Sequence, residues 1–370
     1  MKRLFSLLLI LALVVTFAAC GTKTPDPTEP NTPATDTPAS SSEDAPKQEM
    51  KVCLISTISS GTPFCKLTWR GFEKMESELG AEVKLIEALD TAEYEEQVRS
   101  MAEAGYSPIY TMFDALNAVV VEVAPDYPDT RFYMIDSALE YENLANVSSL
   151  IVDPTESSFI SGFVAAKSTT TGTIGWVGSL DQANINRFRN GYTAGAKYAN
   201  PDIKILTAYT GDNSDSEKGR ECAVAQIADG ADVIFQSANL SGLGVIAGCA
   251  DAGIKAIGVD EWQGNVDDCV FWSSLKDIDS AVFQTAQEAA QDKFEAGPRY
   301  FVLETGARAY DDRDFEKLPA ELQKEVLCSG AWCVESAKKC ADMIAAWLLV
   351  QYTGRDVEGM KRAAAIEASY

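Results

Sequence analysis

Short apolar runs alternate along the chain with segments whose apolar residues recur at helical spacing. The run KVCLIS at 51–56 is followed by TWRGFEKMESELG at 68–80, whose last glycine is typical of a helix C-terminus. Apolar runs without polar alternation, such as ADVIF and KAIGV, are typical of strands buried on both faces. The pattern predicts parallel sheets covered by helices, with further strands at 82–88, 108–113, 130–136, 147–152, 173–178, 203–208, 232–236, 255–259 and 269–273.

About ten strands are too many for one comfortable sheet, and the body from residue 50 onwards is longer than an average domain. We therefore predict an α/β protein with two doubly wound lobes of about five strands each. Ligands bind beyond the carboxyl ends of the strands in such sheets, so we expect a site in the cleft between the lobes. The predicted boundaries are 51–171 plus 278–297 for lobe 1 and 172–277 plus 298–370 for lobe 2.

The first twenty residues have the layout of a secretory signal. Two basic residues precede an apolar run at 7–15, which is short for a membrane span of about 20 residues, and two alanines then lead into Cys20. This arrangement resembles a bacterial lipobox, in which Cys20 would be lipidated, and an ordinary signal with a chance cysteine is the alternative. Residues 21–49 are rich in Pro, Thr, Ser and acid, and they predict a disordered tether. The protein is thus expected on the extracytoplasmic face of a bacterial membrane, held by a lipid anchor only.

The composition excludes several classes of function. The chain has a net charge of −24 and therefore lacks the basic character of a nucleic-acid binder. It contains no histidine, which removes Ser-His-Asp triads and histidine metal sites together. We expect no cofactor, no metal and no catalytic residue.

Eight cysteines follow Cys20, and an even number in an exported protein favours disulfides. Eight cysteines allow 105 pairings. The local candidates are Cys53 with Cys65, and Cys328 with Cys333 or Cys340, while buried free thiols are the alternative.

The stretch VIFQSANLSGLGVIAG at 233–248 looks at first like a phosphate-binding loop. Its glycines stand at Gly242, Gly244 and Gly248, so the third is one place too late for G-x-G-x-x-G. The glycines are better explained by a tight turn and close helix–strand packing.

Polar and aromatic residues collect at the predicted strand ends. Carboxylates accept hydrogen bonds from hydroxyl groups, and aromatic faces stack on flat rings. The mixture predicts a small polar ligand with a ring, either a nucleoside or a sugar. The residues concerned are Asp136, Asn239, Asp260 and Lys276, with Phe64, Trp69 and Trp262 near them.

Several segments, in order and spacing, resemble the basic membrane protein (purine nucleoside receptor A-like) family of substrate-binding lipoproteins. The resemblance implies a type I periplasmic-binding-protein fold, with two lobes around a hinge, and delivery of a ligand, typically a nucleoside, to an ABC permease. The clearest matching segments are FCKLTWRGF, ALNAVVVEVAPDYPDTRFYMID, NVSSLIVDPTESSFISGFVAA, TGTIGWVG, RFRNGYTAGAKYANPDIKI, SEKGRECAVAQIADGADVIFQSANLSGLGV, IGVDEWQ and SSLKDID.

The resemblance also assigns roles to individual residues. The family's ring-stacking phenylalanine falls on Phe64, and its cleft aspartate falls on Asp136. Its two ribose contacts fall on Asp260 and Lys276. The family's glycine-rich turn, where backbone amides can face a ligand, falls on Asn239, Ser241 and Gly242.

One departure from the family affects the predicted ligand. The family has D-x-S-F-N around its first phenylalanine, whereas this chain has GTPFC, with Gly61 and Cys65 in place of the acid and the amide. The groups that read the base are therefore missing. Either another base edge is read, with help from Trp262 or Glu261, or the ligand is not a purine nucleoside.

We therefore predict a monomeric solute-binding protein that is not an enzyme. A ligand sensor or sugar receptor of the same fold, without a role in transport, is the alternative. An enzyme that acts on nucleosides through Asp136 and Asp260 is disfavoured, because the chain lacks histidine and any nucleophile motif.

Overall fold

A computed structural model describes residues 50–137 and 144–329. The predicted signal sequence, Cys20, the predicted tether, residues 138–143 and the tail from residue 330 lie outside the described residues. The strands are β1 (Lys51–Ser56), β2 (Glu82–Glu87), β3 (Ile109–Met112), β4 (Phe132–Ile135), β5 (Val147–Val152), β6 (Thr173–Gly178), β7 (Lys204–Tyr209), β8 (Val233–Ser237), β9 (Lys255–Asp260), β10 (Val270–Leu275) and β11 (Gly297–Phe301).

Helices connect most of these strands. Residues Met75–Leu79 extend the first helix as a π-helical turn, and residues 320–329 are helical. The other helices are α1 (Pro63–Lys74), α2 (Tyr94–Glu103), α3 (Asn117–Val123), α4 (Thr155–Ser168), α5 (Ala183–Ala199), α6 (Ser216–Ala228), α7 (Asn239–Ala252), α8 (Ile278–Ala290) and α9 (Asp312–Phe315).

The strands form two parallel sheets, as the sequence predicts. The first has the order β11-β5-β4-β3-β1-β2, and the second has the order β10-β9-β8-β6-β7. Both sheets bury apolar side chains on both faces, which explains why their central strands lack polar alternation. The prediction of two α/β lobes is confirmed.

The strand β11 is absent from the sequence prediction. Its segment GPRYF begins with glycine and proline, and its side chains alternate in exposure. It pairs only with β5, at the edge of the first sheet, where a proline can be accommodated. Tyr300 and Phe301 favour a strand, but the glycine and proline before them are typical of a turn, and the sequence prediction has no strand here.

The described chain passes between the lobes three times, after β5, after β10 and after β11. The crossing after β5 makes the lobe boundaries differ from the prediction. We placed residues 155–168 in lobe 1, but Phe163 and Val164 of α4 pack in the core of the second sheet. The predicted end of lobe 1 at residue 297 also falls within β11, and the whole of this strand belongs to the first sheet. Periodicity identifies a helix, but it does not say which sheet the helix covers.

The six cysteines of the described residues are free thiols. Cys53 packs in the core on one face of the first sheet, and Cys65 of α1 packs in the core on the other face. The sheet therefore separates the proposed pair Cys53–Cys65, and that candidate disulfide is wrong. Burial raises the pKa of Cys53 to about 12, which keeps the thiol protonated and unreactive. The proposed partners of Cys328 lie outside the described residues.

None of the helices within 50–137 and 144–329 has the length and apolar character that crossing a bilayer requires.

Candidate ligand-binding cleft

A cavity of about 530 Å³ lies where the carboxyl ends of the two sheets face each other. The first lobe lines it with residues that follow β1, β3 and β4. The second lobe lines it with residues at or after the ends of β6, β7, β8, β9 and β10. A volume of this size accommodates a small organic ligand.

Four strand-end residues at this cavity have left-handed backbone conformations. Phe113, Asp136, Asn239 and Asp260 have φ values of 67°, 57°, 53° and 66°, and in the described chain only one other non-glycine residue has a positive φ. Asp and Asn tolerate this region because their side chains hydrogen-bond locally. Phe113, with ψ at 167°, occupies a region that is costly for any residue with a Cβ atom. Such strain is concentrated at functional sites, and here it is concentrated at one cavity.

An ion pair connects the two halves of the cavity. Lys276 Nζ lies 2.6 Å from Asp136 Oδ2, and both side chains are 3% exposed. Asp136 follows β4 of the first sheet, whereas Lys276 follows β10 of the second. The rings of Phe64 and Phe188 lie 5.4 and 5.5 Å from the same ammonium group, at cation–π distance. The lysine is thus fixed by one carboxylate and two aromatic faces.

Asp260 stands beside this pair, with its backbone oxygen accepting a 2.9 Å hydrogen bond from the Lys276 amide. Burial raises the pKa of Asp260 to about 6. Lys276 opposes this shift, while Asp136 and Glu261 add to it. No donor among the described residues hydrogen-bonds the Asp260 carboxylate. The site thus holds a carboxylate whose charge is costly and whose acceptor positions are open.

Two further polar groups at the cavity wall lack partners within the described chain. They are Ser237 Oγ and Asn239 Oδ1, and both oxygens are buried. A buried hydroxyl or amide oxygen without a partner costs about 1–3 kcal/mol. Ser237 was not identified from the sequence, because a serine at the end of an apolar strand carries no distinctive signal.

Five of the predicted site residues line this one cavity: Phe64, Asp136, Asn239, Asp260 and Lys276. The structure adds Phe113, whose ring stacks on Phe64 with centroids 5.2 Å apart, and Phe188 on the facing lobe.

Gly242 and Trp262 do not line the cavity. A Cβ atom at Gly242 would lie 1.8 Å from Gln236 Oε1, so this glycine permits packing between α7 and a buried glutamine. Trp262 Nε1 donates a 3.0 Å hydrogen bond to Asp314 Oδ1, and the Arg313 guanidinium lies 3.7 Å from the indole ring. The tryptophan is therefore held by the segment around α9, whose position could not be foreseen from the chain order.

A second ion pair connects the two lobes. Arg70 of α1 in the first lobe pairs with Glu261, which follows β9 in the second. Glu261, considered above as a reader of the base, is therefore engaged in contact between the lobes.

The altered loop GTPFC contributes only its phenylalanine to the cavity wall. Gly61 has no side chain, and Cys65 is fully buried with its Sγ 3.7 Å from Ser56 Oγ. Beside Phe64 and Phe113, the first lobe presents the apolar side chain of Ile58 here. The part of the first lobe around these two rings is therefore largely apolar.

The geometry, with two parallel-sheet lobes facing across a cavity lined by strand ends, is that of the solute-binding proteins of ABC transporters. A solute-binding protein from Aeropyrum pernix K1 superposes with a TM-score of 0.66 at 23% identity, covering 78% of this chain and 90% of that one. An arabinose-binding protein from Geobacillus stearothermophilus gives 0.57 at 15% identity, covering 73% and 100%. These likenesses establish the fold.

The chain belongs to the Bmp family of PnrA-like ABC transporter substrate-binding proteins, whose model matches residues 49–307. It is 31% identical to basic membrane protein A of Borreliella afzelii over 75% of this chain and 88% of the relative. It is 27% identical to the ABC transporter nucleoside-binding protein BmpA of Lactococcus lactis, over 68% and 78%. The family is one of binding proteins rather than enzymes, and the predicted resemblance is confirmed.

Replacing Asp260 with asparagine should stabilise the ligand-free protein. The raised folded pKa means that wild type loses stability as the pH rises from about 4 to about 6, because the charged form is disfavoured on folding. Asp260→Asn keeps the shape of the side chain and removes this loss of stability. The difference in unfolding free energy between the variant and wild type should therefore grow from about pH 4 to about pH 6. Thermal denaturation at a series of pH values measures it.

The matched variant Asp136→Asn should behave in the opposite way, because it leaves the buried Lys276 ammonium without its counter-ion. We expect a loss of about 3 kcal/mol. An Asp260→Asn protein that is less stable than wild type at pH 7.5 would contradict the electrostatic account of the site.

Proposed function

We propose that the protein captures a nucleoside between its lobes and delivers it to an ABC importer. The observation that carries the proposal is the combination of charged groups and ring faces in one cavity. Asp136, Asp260 and Lys276 supply the charged groups, and the stacked pair Phe64–Phe113 supplies ring faces beside them. A nucleoside has the matching combination, since a polyhydroxyl sugar is joined to a flat ring. The nucleoside-binding relative from Lactococcus lactis supports this choice.

The charged side chains are suited to bind the sugar. An ionised Asp260 carboxylate accepts hydrogen bonds from neighbouring hydroxyl groups, and the ammonium of Lys276 donates to their oxygens. Asp136 holds the ammonium at 2.6 Å and fixes its direction. Asn239 adds an amide oxygen that is without a partner in the described protein.

The aromatic side chains suit the base. Phe64 and Phe113 offer ring faces from the first lobe, and Phe188 lines the cavity from the second. Stacking on a flat ring gives about 0.5–1.5 kcal/mol beyond the area it buries. A pentose alone would not use these ring faces.

Capture takes place by hinge closure without covalent chemistry. The ion pairs Asp136–Lys276 and Arg70–Glu261 both connect the lobes. These pairs and the bound ligand together stabilise the closed arrangement. Closure excludes water from the acids and strengthens their hydrogen bonds to the sugar. The protein acts as a monomer in this cycle.

We also propose that Cys20 is lipidated and that residues 21–49 tether the binding body to the extracytoplasmic face of the membrane. The support is the signal-like N-terminus with its small residues before the cysteine, and the Pro- and Thr-rich segment after it. An anchored receptor keeps captured ligand close to its permease.

Binding should be specific for nucleosides and should depend on ionised Asp260. We expect nucleosides, but not free bases, to raise the melting temperature, because only the folded state binds them. Below about pH 6 the affinity should fall as Asp260 becomes protonated, by up to about tenfold for each pH unit. Thermal shift and calorimetric titration across pH 5–8 measure both effects.

Asp260→Ala should abolish this binding, whereas Asp268→Ala, which removes an exposed acid of the same lobe, should leave it unchanged. Absence of stabilisation by every nucleoside tested would refute the proposed ligand class.

The anchor is tested by detergent phase partitioning of the protein from bacterial membranes. Wild type should enter the detergent phase, and Cys20→Ala should enter the aqueous phase because it lacks the lipid. Equal partitioning of the two proteins would show that Cys20 carries no anchor.

A further inference from the structure

We propose that the second lobe reads the base edge of the ligand, through three side-chain amides at Gln182, Asn184 and Asn213. The inference rests on the proposed nucleoside function and deepens it by naming what discriminates between bases. All three residues line the cavity. They come from two separate connections, since Gln182 and Asn184 follow β6 and Asn213 follows β7.

The strand order separates the strands that carry these amides from the strands that carry the acids. Across the second sheet the order is β10-β9-β8-β6-β7, with Lys276 and Asp260 at the first two strands. Neighbouring strands are about 4.8 Å apart, so the strands that carry the amides lie about 10 Å or more from β9. That separation matches the extent of a sugar with its base.

The first lobe adds no uncharged polar side chain to the cavity wall. Its lining residues are Ile58, Phe64, Phe113, Asp114, Ala115 and Asp136. Gly61 and Cys65, which stand in place of the family's acid and amide, contribute no polar group there. The amide groups that could face a base edge are therefore in the second lobe.

The three amide groups are available for this role. None of their side chains makes a hydrogen bond to another described residue, whereas the neighbouring Asn186 is engaged by Asp181 and Tyr209. An amide offers a donor and an acceptor side by side, and Asn or Gln pairs with adjacent donor and acceptor atoms on a base edge. Because the amides are uncharged, the group they fit is a neutral ring that presents both kinds of atom.

Asp114 is the charged alternative in the first lobe. It lines the cavity, but its Oδ1 accepts a 2.9 Å hydrogen bond from Asn117 Nδ2. We assign it to the turn after β3 rather than to the base.

The test is calorimetric titration of wild type, Asn184→Ala, Asn213→Ala and the triple variant Gln182→Ala/Asn184→Ala/Asn213→Ala with adenosine, inosine, uridine and ribose. Each single change should weaken the best-bound nucleoside about three- to tenfold, as loss of one hydrogen bond does. The triple variant should bind the different nucleosides with nearly equal, weak affinity. Any weak affinity for ribose should not change.

One control variant and one competing variant complete the experiment. Asn200→Ala, just beyond the far end of α5, should bind like wild type, and Asp114→Asn tests the charged alternative, with an expected effect smaller than that of the triple variant. Nucleoside binding by wild type that the triple variant retains at full affinity and selectivity would overturn this inference alone. A larger effect of Asp114→Asn than of the triple variant would also overturn it. A wild type that binds no nucleoside would refute the proposed function itself.

Discussion

The structure depends on a buried ion pair between two sheets that belong to different lobes. Lys276 and Asp136 come from different lobes, and each is almost completely removed from water. Removing either partner would leave an uncompensated buried charge, which costs several kcal/mol. The pair therefore fixes how the strand ends of the two lobes face each other. The open carboxylate of Asp260 and the aromatic faces take their positions from it.

Buried charge and backbone strain are concentrated at the proposed binding cavity. The burial that raises the pKa of Asp260 also makes its carboxylate a stronger hydrogen-bond acceptor once a ligand replaces water. The left-handed turns at Phe113, Asp136, Asn239 and Asp260 are similarly unfavourable for the chain. Each turn ends a strand abruptly and leaves a side chain at the cavity. A cleft built in this way is less stable than it could be, and binding of the proposed ligand would offset part of the deficit.

Most of the architecture could be predicted from the sequence. The central strands are apolar runs between helical segments, and strands of this kind imply parallel sheets whose carboxyl ends form a site. That reasoning identified Asp136, Asp260 and Lys276, because charged residues directly after buried strands stand out. It missed the edge strand β11, which begins with glycine and proline, and it assigned α4 to the wrong lobe because a crossing has no local signature.

The errors within the site have the same origin. Trp262 is two residues from Asp260 in sequence, but its indole is held by Asp314, about fifty residues later. Gly242 lies in the helix after β8 and serves packing against Gln236. The amides after β6 and β7 are ordinary surface residues in the sequence, and only the fold brings them to the cavity. Contacts between distant segments, rather than local pattern, decide these assignments.

The orientation of the bound ligand tests the central claim most directly. A crystal structure of the protein with its tightest-binding nucleoside should show the sugar hydroxyls within hydrogen-bond distance of Asp260 and Lys276. The base should lie against Phe64 and Phe113. A ligand bound in the reverse orientation, or outside the cleft, would contradict the account.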